Sequence, residues 1–139
     1  MGIDAFPQAN WETPETFRRH YGIRLWQAGY DVEMTYAYQH GFGHIWNDFD
    51  GPGSHKDYNF AYPTVGGVVD TLCFEGLREA VDDTRYVATL FRVVEEARKN
   101  LATRAKADAA EKWIRSVDTQ GDVHQLRREI VDRILQLMR

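Results

Sequence analysis

Cysteine is nearly absent: Cys73 is the only one in 139 residues, so no intrachain disulfide and no paired Cys-x-x-Cys zinc or redox spacing can form. Stability has to come from packing. Long hydrophobic runs are missing as well, with a mean hydropathy of −0.54 and no apolar stretch approaching the ~20 residues of a bilayer crossing, which excludes a transmembrane helix. The polar N-terminus lacks a secretory pattern, leaving the cytoplasm as the default compartment. A basic excess is also lacking: 17 Lys and Arg against 21 Asp and Glu give a net charge of −4. That balance argues against a nucleic-acid module working by phosphate neutralisation. No GxGxxG, P-loop or G-x-S-x-G motif is present, so nucleotide and serine-hydrolase chemistry have no support.

The chain's 43% apolar and 27% charged residues suit a single soluble domain over residues 1–139. Aromatics are abundant, with four Trp, seven Tyr and seven Phe. All but Trp113 fall at or before Phe91. From Thr103 onward there is no proline and only Gly121, which reads as plain helix.

Residues 1–12 form an irregular arm. Thr13, Pro14 and Glu15 then supply a hydroxyl N-cap, a proline at the first helical position and an early acid, predicting a helix start. This helix carries Phe17, Tyr21, Leu25 and Trp26 on one face, is weakened at Gly22 and stops near Gly29. Residues 31–39 alternate Val32, Met34, Tyr36 and Tyr38 with polar or small side chains, predicting a strand. A second strand is expected over 58–62, ended by Pro63. Between them, residues 40–57 hold four glycines, a proline, three histidines and Trp46; loops of this length usually serve function or remain disordered. Leu77, Val81, Val87, Leu90, Phe91, Val94, Ala97 and Leu101 predict a long amphipathic helix over 74–100, with Leu90 and Phe91 deeply buried. Two further helices follow, over 103–117 and 122–138, forming a helical hairpin across 103–139.

Helix, strand, loop, strand, helix is half of an alternating α/β pattern, yet a complete (β/α)8 barrel needs ~250 residues. Three segments carry a resemblance: HYGIRLWQAGYDVEMTYAYQ, HIWNDFD and NFAYPTVGGVVDTLCFEGLREAVDDTRYVATL. Their Leu25, Trp26, Gly29, Asp31, Tyr36, Ala37, Trp46, Asp48, Tyr62, Pro63, Gly67, Glu75, Arg78, Glu79, Asp82, Asp83 and Tyr86 follow the pattern of the last strands and helices of a glycoside-hydrolase-like barrel. The chain resembles glycoside hydrolase family 123-like proteins over residues 13–100, departing at Val32, Cys73 and Ala80. The resemblance implies a fold of α/β class, mostly helical: a partial TIM-barrel-like unit followed by two C-terminal helices. It also implies that the family's acidic catalytic pair lies upstream of the matched segments, so no catalytic residue is assigned here.

Candidate substrate-binding residues are Trp46, Asp48, Tyr62 and Glu75. Trp46 and Tyr62 at strand ends could stack on sugar rings, whose faces are apolar. Asp48, Asp50 and Asp57 would occupy a barrel rim, though Asp, Asn and Gly also make ordinary turns. Glu75 opens a helix and can pair with Arg78. His40, His44 and His55, with Asp48 and Asp57, invite a zinc or manganese reading, but Gly41 and Gly43 oppose a helix that would align them, and no metal or other cofactor is assigned. Arg78, Asp82, Asp83 and Arg85 read as one structural charge network, and Cys73 lacks a base for nucleophilic chemistry. The expected function is a carbohydrate-related barrel portion that is not catalytic alone. The alternative is a small self-associating helical interaction module. A homodimer closing through Tyr36, Tyr38 and Phe60, a possible carbohydrate partner, and neither nucleic acid nor membrane complete the expectations.

Overall fold

The computed structural model describes residues 13–32, 34–52 and 57–139, so the arm expected over 1–12 lies outside the described residues. Five helices and two small antiparallel sheets make up that part, a mostly helical chain with some strand. Helix α1 (Pro14–Tyr21) has proline in its first turn and Glu15 beside it, as expected. Thr13 caps it through its backbone carbonyl, which accepts from Thr16 and Phe17, and its hydroxyl makes no capping bond. Gly22 does more than weaken the helix: the backbone breaks there and restarts as α2 (Ile23–Gln27). A side chain at Gly22 would meet the Arg18 carbonyl at 2.6 Å and the Ala80 backbone at 3.4 Å. Gly29, at φ 75°, closes α2 in the left-handed region.

The strand expected over 31–39 is largely not formed. Only β1 (Gln39–His40) pairs, with β2 (Tyr58–Asn59), while Val32, Met34, Tyr36 and Tyr38 lie exposed outside any strand. Alternation specifies a strand only where one face has a core to cover. Here that core is already filled by Phe17, Tyr21, Phe60 and Cys73. The second expected strand bends at Phe60, whose N–H donates to Tyr38 and whose carbonyl accepts from Thr71. Phe60 is buried edge-on against Phe17, so it cannot meet a second copy as expected. The chain continues as β3 (Ala61–Thr64), which contains Pro63 rather than ending at it, and turns back as β4 (Gly67–Asp70). Both strand pairs are antiparallel. Neighbouring barrel strands are parallel, and no such pair occurs among the described residues.

Helix α3 (Leu72–Arg98) is the spine. The Thr71 hydroxyl accepts from the Phe74 N–H at 3.3 Å. Its buried positions, Cys73, Gly76, Ala80, Asp83, Val87, Leu90, Val94 and Ala97, recur at alternating spacings of three and four, a continuous apolar seam interrupted by one acid. The small residues near its start admit α1 closely: a Cβ on Gly76 would lie 2.4 Å from the Pro14 carbonyl oxygen. The larger residues near its end pack against α4 (Leu101–Ser116) and α5 (Val123–Leu137). Short connections and N-caps at Asn100 and Asp122 make these three helices a bundle in which α4 runs back between the parallel α3 and α5 in chain order. Leu90 is fully buried as expected. Phe91 is only partly buried, lying under Trp26 at 5.5 Å and Arg115 at 5.1 Å, and Val81 and Leu101 are exposed.

Candidate functional site

The hairpin β3–β4 is the platform for the aromatic residues singled out in the sequence. Phe60 O accepts from Thr71 N, so antiparallel alternation makes Tyr62–Val69 and Thr64–Gly67 the hydrogen-bonded pairs and turns the Ala61 and Pro63 carbonyls outward. Proline is tolerated at such an outward position because it withholds no ladder donor. Those outward carbonyls are occupied: Gln39 Nε2 donates to Ala61 at 2.5 Å and the Trp46 indole N–H to Pro63 at 3.0 Å. That bond fixes the Trp46 ring against Tyr62, with centroids 4.9 Å apart and planes 24° from parallel. Trp46 remains about half exposed, as does Val69, the cross-strand partner of Tyr62. The result is a ledge of two stacked rings and a valine.

A second aromatic group, which sequence periodicity did not reveal, lies on the other sheet. His40 packs at 5.0 Å from Phe42 and 5.6 Å from Tyr36, and Tyr36 lies 5.3 Å from Tyr58. Positions 36, 40 and 42 are separated from position 58 by the long loop. Their meeting depends on the two-residue pairing of β1 with β2. His40 is thus one ring among four.

The loop aspartates are committed to the loop itself. Asp48 Oδ1 accepts from the Asp57 N–H at 2.7 Å, Asp57 Oδ1 from Phe42 N–H at 2.9 Å, and Asp50 Oδ2 from His44 N–H at 2.8 Å. These are the side-chain-to-backbone bonds by which aspartate builds turns. Asp48 thus shapes the loop carrying Trp46. No group of three or more His, Cys, Asp or Glu able to hold a metal occurs among the described residues, and His55 lies outside them. Glu75 is engaged by Arg78 through contacts of 2.6 and 2.9 Å; the hydrogen bond and charge of Glu75 raise the Arg78 pKa.

The expected charge network divides in two. Arg78 with Glu75 and Arg85 with Asp82 are exposed pairs. Asp83 instead turns inward and accepts from Arg18 Nε at 2.7 Å, Arg18 Nη2 at 3.0 Å and Arg127 Nε at 2.5 Å. Arg127 continues to Glu79 at 2.7 Å, and Arg18 to the Val123 carbonyl at 3.3 Å. Two cations and two anions thus tie α1, α3 and α5 together. Cys73 is buried beside Phe17 and Phe60.

Chemically, the site offers stacking faces with hydrogen-bonding groups around them. No family model, curated protein or solved structure matches this chain.

Proposed function

We propose that the chain contributes carbohydrate binding, without hydrolysis of its own, as part of a glycoside-hydrolase-like protein. The observation that carries this reading is the Trp46–Tyr62 stack, held in place by the indole bond to Pro63 and left half exposed. An oriented aromatic face suits the apolar face of a pyranose, and the loss of ring freedom that binding normally costs is already met. Asp48 is a positioning residue in this reading. Glu75, paired with Arg78, takes no part in stacking. The finer architecture, a partial TIM-barrel-like unit, belongs to the same proposal: the β1–β2 pairing spans two residues, little enough to be exchanged for pairing with further strands. Calorimetric titration of the chain with a panel of oligosaccharides, beside an aryl-glycoside assay, is the test. Binding by at least one sugar, reduced about tenfold or more by Trp46→Ala, and no turnover are expected. Turnover abolished by Asp48→Asn or Glu75→Gln would contradict it.

A second reading, self-association, is favoured by the unequal edges of the hairpin. The outer edge of β3 is closed by Pro63, Trp46 and Gln39, whereas Val68 and Asp70 of β4 turn their backbone groups away from β3 and all of β4 is exposed. An open edge is a template for another strand. Sedimentation equilibrium should then show dimers that Val68→Lys converts to monomers; a monomeric wild type removes this reading.

A further inference from the structure

Helices α4 and α5 enclose a groove of about 220 Å³ far in sequence from the aromatic ledge, floored by Ala109, Ala110, Trp113 and Leu137. Arg133 sits over the Trp113 ring, its guanidinium carbon 3.4 Å from the centroid. The contact holds the guanidinium in place and leaves part of its N–H edge to act. Nη1 donates to the Glu129 carbonyl at 3.0 Å; Nε and Nη2 make no hydrogen bond to the described residues. The nearest carboxylate, Glu129, stands off at 3.7 Å and accepts from Gln125 at 3.1 Å, while Asp132 acts only through space. Across the groove, Lys106 from α4 and Gln136 from α5 point no polar atom at any described partner and line the same space.

Arg133 and Lys106 both line this small groove and no acid is among its lining residues, so an anion placed there would meet two cations. A cation–π stack alone would account for Arg133 but not for Lys106 opposite, nor for the unused donor edge. Burial lowers the Arg133 pKa, the charges of Glu129 and Asp132 opposing it only in part. We propose that this groove is a binding site for a small oxyanion, a carboxylate or phosphate carried on a flat apolar group: the anion would bridge Arg133 and Lys106 while its body covers the Trp113 edge and Leu137. A planar guanidinium already held in position is the donor best suited to two-point recognition of such groups. The volume is below that of drug-sized pockets and fits a small organic acid.

The test is two-dimensional NMR of the full chain titrated with benzoate, phenyl phosphate and, as the neutral control, benzamide. The Trp113 indole and the amides of residues 106–113 and 133–137 should shift saturably with either anion, the tighter of the two naming the oxyanion, and not with benzamide. Lys106 is exposed and outside the core, so Lys106→Gln should keep the native spectrum and weaken binding about tenfold, as loss of one charge-assisted contact does. Arg133→Gln should abolish the shifts, with its own thermal melt checking the fold. Absence of saturable shifts with both anions, equal response to benzamide, or wild-type affinity in Lys106→Gln would each overturn the proposal.

Discussion

Asp83 occupies a core position with the wrong chemistry for a core. It falls on the buried seam of α3 between Ala80 and Val87, where an apolar residue would complete the pattern, and it is retained there by two arginines from other helices. Removing one member of such a group leaves the others buried and underpaired. Asp83→Asn keeps the shape and removes the charge; a loss of about 3 to 5 kcal/mol is expected in urea unfolding. A change below about 1 kcal/mol would mean that water already neutralises the arginines. His20 gives a second residue-scale expectation. Burial, then the charges of Arg24 and Arg19, lower its pKa from 6.5, with Arg24 Nη1 3.2 Å from Nδ1. The unfolded chain therefore binds the proton more readily, so this contribution to stability is present above pH 6.5 and lost as pH falls through the folded-state value. His20→Gln should flatten the fall in melting temperature on the acid side of neutrality; an unchanged profile would assign that fall to other groups.

At the scale of elements, close approach of α1 to α3 is set by Gly76, where an added methyl group meets the Pro14 backbone. Backbone cannot yield as a flexible side chain can. Gly76→Ala should cost about 1 to 3 kcal/mol as overpacking, although alanine is the better helix former; Gly121→Ala, with open space around it, should stay within about 0.5 kcal/mol. A neutral Gly76→Ala in the same denaturant series would place α1 further from α3. The helices were legible in the sequence because their signals are local: the period of Leu90, Val94, Ala97 and their neighbours, and the cap at Asp122; at Gly22 the sequence showed a weak point where the chain in fact breaks into two helices. Residues 31–39 misled because alternation reports what a segment could cover, not whether a core awaits it. The β3–β4 hairpin was missed because Val65–Gly66 is a weak turn signal and Pro63 reads as a strand end. Trp46 and Tyr62 could be singled out by residue type, but their stacking depends on a carbonyl whose outward direction follows only from strand register. Asp83 looked like its neighbours Asp82 and Arg85 because spacing along a helix gives contacts on its own surface, not those from α1 and α5.

Over the whole molecule, apolar exposure is uneven. The three-helix bundle buries a continuous core from Val87 to Leu137, while Val32, Met34, Tyr36, Phe49 and Val65, outside the helices, are exposed. In the proposed carbohydrate-binding reading, the bundle with the buried Arg18–Asp83–Arg127 group is the base, and Trp46, Tyr62 and Val69 are the working face. The most direct test of that division is a chemical-shift map of the full chain against the tightest oligosaccharide of the panel. The account predicts shifts converging on the Trp46 indole, Tyr62 and Val69, lost in Trp46→Ala while α3 to α5 stay unmoved. Shifts confined to the helical bundle, or a Trp46→Ala protein that binds as well as the wild type, would contradict it.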